Sequence, residues 1–239
     1  MLRKVATKIF ANTLPLGFID ELIASQDLIK LLKNFTINKI FDVGANKGQY
    51  AELLMNNGYQ GKIVSFEPLT EAYNTLLLKK NNVKQWKIAE RCALGDQDKE
   101  IRINISKNLY SSSILPMLST HSDYAPKSQY IDTENVQMFK LDTIGPKYIE
   151  KDDILFLKLD VQGYEKFVLQ GAEKILNRFE GIQLECSLLP LYEGEMLFLE
   201  SMKTIEGKGF TLCDIIPGFR AKSSGRLLQV DCVYFKMIE

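Results

Sequence analysis

The chain has 239 residues with 30 basic and 30 acidic side chains, and a formal net charge of zero excludes any global field drawing it to nucleic acid. A composition 46% apolar and 25% charged is that of a soluble globular protein, long enough for one sizeable α/β domain. No run of eighteen apolar residues is present to cross a bilayer, and a single histidine argues against a zinc site.

The first residues carry Arg3, Lys4 and Lys8, but Asn12, Thr13 and Asp20 interrupt the apolar run after them, so this is not a secretory signal. Leu2, Val5, Ile9, then Leu22, Ile23, Leu28, Leu31 and Leu32 recur at helical spacing and predict a helical extension over residues 1–36. Such a stripe packs against the adjoining domain, the favoured reading, or lies as a basic amphipathic helix on a membrane surface. From residue 37 to 239 the pattern is that of one domain. Strands are predicted at 40–43 and 62–66, with a third strand and the turn after it over 85–94, and helices at 49–57 and 69–81 between them. Ile101, Ile103 and Ile105 alternate with polar residues as an added half-exposed strand, partnered by 135–141. Residues 106–134 are rich in Ser, Tyr, Asn and Pro, and a loop of that length predicts a partly ordered lid.

Residues 154–160 read as a buried central strand, 164–179 as its helix, 181–187 as the next strand and 195–208 as a helix. Strands 210–216 and 228–235 then succeed one another without a helix, joined through Pro217, Gly218 and Gly225. Two such strands imply an antiparallel hairpin ending an otherwise parallel, doubly wound α/β sheet. Cys92, Cys186, Cys213 and Cys232 form no C-x-x-C pair and suit reduced thiols in a cytoplasmic protein.

The chemistry sits at strand ends. Lys39-Ile-Phe-Asp-Val-Gly-Ala-Asn-Lys-Gly48, then Ser65-Phe-Glu-Pro68, is a strand, a glycine turn, a helix and a second strand ending in a carboxylate. Glu67 lies 23 positions after Gly44, the separation at which an acidic side chain reaches a ribose hydroxyl. Asn46 stands where a nicotinamide enzyme has the glycine that admits a pyrophosphate, and Asp42 is acidic. A nucleoside with a cationic or zwitterionic tail fits better, which makes S-adenosyl-L-methionine the expected cofactor. Asp42, Gly44, Asn46, Gly48, Gln49, Glu67, Pro68, Ala93, Leu94 and Asp160 are its candidate contacts. The helix beginning near Lys47 would aim amide N–H groups at the amino-acid carboxylate. In Leu157-Lys-Leu-Asp-Val-Gln-Gly-Tyr-Glu165, Asp160 is placed to orient or deprotonate an acceptor. Glu165 either buttresses the loop or complements a helix N-terminus.

These motifs, with Leu141-Asp142, Val168-Leu-Gln-Gly-Ala172, Gln183-Leu-Glu185, Pro190-Leu-Tyr192 and Gly225-Arg-Leu-Leu-Gln-Val-Asp231, together resemble the FkbM family of S-adenosylmethionine-dependent methyltransferases. The resemblance runs from about residue 38 to the end. It implies a class I methyltransferase fold and O-methylation of a hydroxyl on a sugar, glycan or natural-product acceptor. In-line displacement at a sulfonium methyl depends mainly on positioning the acceptor, and a hydroxyl also benefits from proton removal. His121, Asp160 and Glu185 are the competing candidate bases, and Tyr192, Tyr124 and Arg220 the candidate acceptor contacts. Asp160, Glu185 and Asp231 have no metal-specific spacing, so no metal is expected.

An NAD-dependent oxidoreductase would show a third glycine after Gly48 at pyrophosphate spacing and a Tyr-x-x-x-Lys type pair, both absent here. A methyltransferase-like scaffold without turnover is opposed by the intact Asp42, Gly44, Gly48 and Glu67. An RNA methyltransferase would carry a basic stripe and a proline–aromatic motif where Asp160-Val-Gln-Gly stands. The expected partner is therefore a small-molecule or glycan acceptor rather than nucleic acid. Membrane contact through residues 1–35 and a homodimer are left open.

Overall fold

The computed structural model describes residues 16–80 and 83–237, so Arg3, Lys4 and Lys8, on which the membrane-surface reading rests, lie outside the described residues, as do Leu2, Val5 and Ile9. Helix α1 (Leu16–Asn34) leads into β1 (Lys39–Val43), α2 (Gln49–Asn56), β2 (Lys62–Phe66), α3 (Thr70–Lys79) and β3 (Trp86–Ile88). A short β4 (Ala93–Leu94), β5 (Lys99–Ser106) and β6 (Tyr130–Phe139) come next, with α4 (Ser119–Tyr124) between β5 and β6. The chain continues through α5 (Leu141–Ile144), β7 (Leu155–Leu159), α6 (Glu165–Gln170), β8 (Phe179–Ser187), α7 (Phe198–Glu206), β9 (Thr211–Pro217) and β10 (Gln229–Phe235). Among the described residues no helix is long and apolar enough to cross a membrane.

The main sheet has seven strands in the order β3-β2-β1-β7-β8-β10-β9. All are parallel except β10, which runs antiparallel to both β8 and β9, so the expected C-terminal hairpin closes the sheet. The order reverses between β1 and β7, and ligands of open α/β sheets bind beyond the carboxyl ends at such a point. β4, β6 and β5 form a separate three-stranded sheet, with β5 and β6 antiparallel as the alternation at Ile101, Ile103 and Ile105 predicts.

Alternation along each strand sorts side chains onto two faces. Phe41, Val43, Leu157 and Leu159 pack with Val168 and Ile205 in one core. Ile40, Ile63 and Phe156 pack in a second with Leu28, Ile29 and Leu32 of α1 and Leu54 of α2. Phe35, just past α1, stacks on Phe235 with ring centroids 4.1 Å apart. The described part of the N-terminal extension therefore closes one face of the sheet, as the packing reading expected.

Three elements differ from the sequence expectation. β6 starts at Tyr130, inside the predicted lid, and pairs with β5 from there. Where a strand and the turn after it are predicted over 85–94, two strands form, β3 and β4, and they belong to different sheets. Between them Arg91 turns away to the Pro68 carbonyl at 2.7 Å and the Glu134 carboxylate at 2.6 Å. The helix predicted over 164–179 stops at Gln170. The Asp142 carboxylate takes the backbone N–H groups of Lys174 and Ile175 that a continuing helix would have used. The lid is partly ordered, carrying α4 and a backbone bridge from Met117 to Tyr192.

Replacing Leu32, fully buried in α1, by alanine is expected to lower unfolding free energy by about 2–5 kcal/mol in chemical denaturation. Leu78→Ala on the exposed face of α3 should cost less than about 0.5 kcal/mol. Equal effects would mean that α1 is not part of the core.

Candidate active site

The turn after β1 is shaped by what surrounds it. Gly44 has φ +77°, and a Cβ there would lie 1.8 Å from the Asp160 carbonyl oxygen, so only glycine lets β1 and β7 end side by side. Gly48 has φ +86°, and a Cβ would lie 2.4 Å from the Trp86 ring. Between them Asn46 adopts φ 47° and directs its backbone N–H to the Glu67 carboxylate at 2.8 Å. The other Glu67 oxygen accepts the Leu69 N–H at 2.9 Å. Two backbone donors thus fix the carboxylate in place at the end of β2. Burial raises its pKa to about 7, against the pull of those two bonds.

Strand register lays a row of polar side chains across the sheet. Ser65, Asp42, Lys158 and Gln183 are successive partners on β2, β1, β7 and β8. Ser65 donates to Asp42 at 3.0 Å and receives the Trp86 indole N–H at 2.9 Å. The Lys158 ammonium stands 3.4 Å from Asp42 and 3.3 Å from Asp160. Tyr50 donates to Gln183 at 2.9 Å, and its ring lies under the Lys158 ammonium, 5.2 Å from centroid to nitrogen. Burial opposes the Lys158 charge, but Asp160, Asp42 and Asp231 outweigh it and hold the lysine protonated. Burial likewise raises the Asp42 carboxyl, with Lys158 and Ser65 pulling it back.

One step nearer the carboxyl ends lies a second row, Asp160, Glu185 and Asp231, the last two being register partners. Gln162, at φ 54°, spans it: its amide nitrogen donates to Asp160 at 2.7 Å and to Glu185 at 2.8 Å. Gln229 donates a second bond to the same Glu185 oxygen at 2.8 Å. Loss of solvent, then the charges of Asp160 and Asp231, raise the Glu185 carboxyl well above its usual range. The Gln162 oxygen accepts the Tyr192 hydroxyl at 2.8 Å, and the Ser113 hydroxyl of the lid donates to the Gln162 carbonyl at 2.7 Å. Glu165 is buried and accepts the Val161 N–H at 2.9 Å, which makes it the buttress of this loop.

Two cavities meet above these rows. The smaller, about 220 Å³, is lined by Glu67, Pro68, Leu69, Ala93 and Leu94, with Leu109, Ser112 and Ile114 of the lid on its open side and Gln162 and Glu185 at its end. The larger, about 840 Å³, is lined by Gln49, Tyr50, Lys158, Gln183 and Asp231. Gly44, Asn46, Tyr110 and Asp160 line both and mark the junction. Across it the Gln49 amide donates to the Tyr110 hydroxyl at 3.0 Å.

The sequence candidates thus sort by position. Gly44, Asn46, Gln49, Glu67, Pro68, Ala93, Leu94, Asp160 and Glu185 line the cavities, whereas Asp42 and Gly48 lie beneath them as support. His121 lines neither. It is buried in α4 with its ring 5.1 Å from Tyr192 and 5.7 Å from Phe219, its Nδ1 has no partner, and burial lowers its pKa to about 4. Of the three candidate acceptor contacts Arg220 reaches the larger cavity, Tyr192 is wholly buried behind Gln162, and Tyr124 lines neither cavity. Sequence reasoning misses Tyr110 as a contact, although it lies in the predicted lid. Lys158 and Gln162 stand inside a motif whose pattern alone gives them no role. Among the described residues no group of three or more His, Cys, Asp or Glu side chains is arranged to hold a metal ion.

The pocket fits the expected cofactor. An apolar slot between Leu69, Ala93 and Leu94 can take a purine, and the pinned Glu67 carboxylate faces the same slot, where it can meet a ribose. The bare backbone at Gly44 then opens the way into the larger cavity.

A family profile described as methyltransferase FkbM domain matches residues 42–212. Among solved structures the chain is similar to Aeropyrum pernix fibrillarin with bound S-adenosyl-L-methionine, at 11% identity and TM-score 0.47 over 82% of this chain and 66% of that one. It is similar to magnesium protoporphyrin IX methyltransferase from Synechocystis at 9% identity and TM-score 0.48, over 92% and 81% of the two chains. It is similar to the plantazolicin methyltransferase at 11% identity and TM-score 0.48, over 99% and 90%. No curated protein matches the sequence.

Two predictions test the electrostatics. Burial raises Glu67 to about 7, Glu165 to about 8 and Asp231 to about 6, so each contributes stability that is present below the unfolded carboxyl range and lost as pH rises through these values. His121, lowered to about 4, loses stability as pH falls below 6.5, but one histidine opposes three carboxyls. The melting temperature of the ligand-free protein should therefore rise as pH drops from about 8.5 to about 5, and Glu165→Gln should flatten that slope. A midpoint that climbs with pH instead would contradict these protonation states. Separately, Lys158→Met strands Asp42 and Asp160 without their cation, and should cost about 3–5 kcal/mol at pH 8 by chemical denaturation and less at pH 5.

Proposed function

The chain belongs to the FkbM methyltransferase family and uses S-adenosylmethionine as methyl donor, and from that premise we propose that it O-methylates a hydroxyl of a sugar, glycan or natural-product acceptor as a cytoplasmic enzyme. The observation that carries this reading is Asp160 at the junction of the two cavities, bridged by one Gln162 amide to Glu185 in the smaller one. The two carboxyls are chemically alike but differently held. Asp160 faces the Lys158 ammonium at 3.3 Å, whereas Glu185 is buried and faces Asp160 and Asp231, which raises its carboxyl. Two carboxyls in such different surroundings suit different tasks.

When bound, S-adenosylmethionine supplies an electrophilic methyl group on a cationic sulfur and leaves as a neutral thioether. The chain's own residues do the rest. Glu67 receives the ribose hydroxyls, with its oxygens already oriented by Asn46 and Leu69. Glu185, held by Gln162 and Gln229, fixes the Gln162 amide that in turn orients Asp160. Asp160 takes the hydroxyl proton as the new carbon–oxygen bond forms. Gln162, Tyr192 and Ser113 hold this pair to the underside of the lid, so that lid position and carboxylate position are linked. His121 packs on Tyr192 behind that link and has no place on the proton path.

The test is calorimetric titration with S-adenosylhomocysteine, followed by mass spectrometry of a glycoside panel incubated with S-adenosylmethionine. Glu67→Ala should weaken homocysteine-nucleoside binding by roughly tenfold or more, the loss of charge-assisted hydrogen bonds. Asp160→Asn should keep that binding and lower kcat by about 10²–10⁴-fold, the range for a general base. Binding without any methylated glycoside would remove the acceptor assignment, and loss of binding in Asp160→Asn would remove its role as base.

A further inference from the structure

We propose that the larger cavity is the acceptor site and that it selects an unphosphorylated polyhydroxyl ligand, preferring one that bears an ammonium group. The proposal rests on the methyl-transfer reading of the junction and names the substrate class that this reading leaves open. Its geometric basis is continuity. The larger cavity shares Gly44, Asn46, Tyr110 and Asp160 with the nucleoside cavity, so an acceptor seated in it reaches the proposed base directly. A volume near 840 Å³ falls within the range of small-molecule sites and exceeds the neighbouring cavity several-fold, which leaves room for a glycosyl unit beside the amino-acid arm of the cofactor.

The two walls have different origins. The near wall comes from α2, β7 and β8, inside the region that the family profile matches. The far wall comes from Ser25, Asp27 and Leu28 of α1 and from the C-terminal hairpin, where Asp214 to Gly218, Arg220 and Asp231 face the space. Residues 25–28 and 214–231 all lie outside the matched span of 42–212. The matched span supplies the nucleoside site and the proposed base, while the far wall is built by segments on either side of it.

The chemistry of the lining decides the ligand class. Its carboxylates are Asp27, Asp160, Asp214 and Asp231, and its cations are Lys158 and Arg220. Lys158 is already shared between Asp42 and Asp160. Arg220 is exposed and donates to the Gly225 carbonyl at 3.2 Å, within its own hairpin. Asp27 is paired with Lys30 at 2.8 Å, and Asp214 accepts the Ile215 N–H at 2.8 Å, so both carboxylates are held in place. A phosphate entering this space would meet carboxylates on both walls in a partly desolvated setting, where like charges repel strongly. Sugar hydroxyls donate to carboxylates and amides, and an ammonium group adds charge attraction. Gln49, Gln183 and Tyr50 complete a surface of the kind that binds hydroxyl-rich ligands.

The experiment has two separate readouts. Calorimetry with S-adenosylhomocysteine alone decides the cofactor reading. Ligand-detected NMR with the protein saturated in S-adenosylhomocysteine then measures binding of methyl glucosaminide, methyl glucoside and glucose 6-phosphate. The expected order of affinity is amino sugar, then neutral sugar, with the phosphate weakest by roughly tenfold or more. Asp214→Asn and Asp27→Asn should each reduce the preference for the amino sugar over the phosphate, with thermal unfolding checking that the variants fold. A protein that binds the nucleoside but none of the three sugars overturns the proposal, as does tighter binding of the phosphate. A preference unchanged in both aspartate variants overturns the role of the far wall.

Discussion

One buried ammonium group organises this molecule. Lys158 stands in the middle of a seven-stranded sheet between Asp42 on one neighbouring strand and Asp160 at the end of its own. Removing an ion from water is expensive, and the arrangement is tolerable only because each member has further partners. Ser65 and Trp86 support Asp42, Tyr50 lies over Lys158, and Gln162 holds Asp160. Each supporting group belongs to a different element. The polar row therefore constrains the relative positions of β1, β2, β7, α2 and the loop after β7 more sharply than the apolar cores on either side, which accept many packings.

Under that constraint the parts of the site are fixed before any ligand arrives. β1 and β7 end against one another because Gly44 has no side chain, and the two cavities meet at that place. The lid enters the same network through Ser113, Gln162 and Tyr192. Its contacts there combine these hydrogen bonds with an apolar cluster in which Leu109, Ile114 and Leu115 pack with Val161 and Tyr164, so the lid and the loop after β7 are held together. Methyl transfer to a hydroxyl needs this kind of control, since alignment behind the methyl supplies much of the rate.

Much of this is legible in the amino-acid sequence, and the reasons are specific. Residues 62–66 are a strand because an apolar run is bounded by Gly61 and Pro68, and the hairpin at 211–235 is legible because Pro217, Gly218 and Gly225 replace a helix. Glu67, Asp160 and Glu185 come together as strand ends of one fold, which a topology argument can foresee. Tyr110 and Tyr192 show where such reasoning stops. Both are tyrosines in polar surroundings, yet one caps the junction of two cavities and the other is buried behind Gln162. The difference is set by the path of the lid and by backbone bridges such as Met117 to Tyr192, which no local pattern encodes. The early end of the helix after Gln170 is similar, since Asp142, distant in sequence, captures the N–H groups that decide it.

The same register that assembles the polar rows also gives similar side chains different chemistry. Asp160 and Glu185 are one row apart from Lys158 and Gln183, but only Asp160 bends back to the ammonium group. Glu185 is left buried and facing Asp160 and Asp231, and loss of solvent together with those charges raises its carboxyl. The proposed base and this second carboxyl thus stand within the reach of one glutamine amide, with no histidine between them. This arrangement suits an acceptor hydroxyl, which must give up a proton while its oxygen is held in line. A ligand carrying a phosphate beside its hydroxyls would be repelled by the carboxylates of the larger cavity. The electrostatics of the rows and the acidity of the far wall therefore favour the same acceptor, a neutral or ammonium-bearing hydroxyl compound.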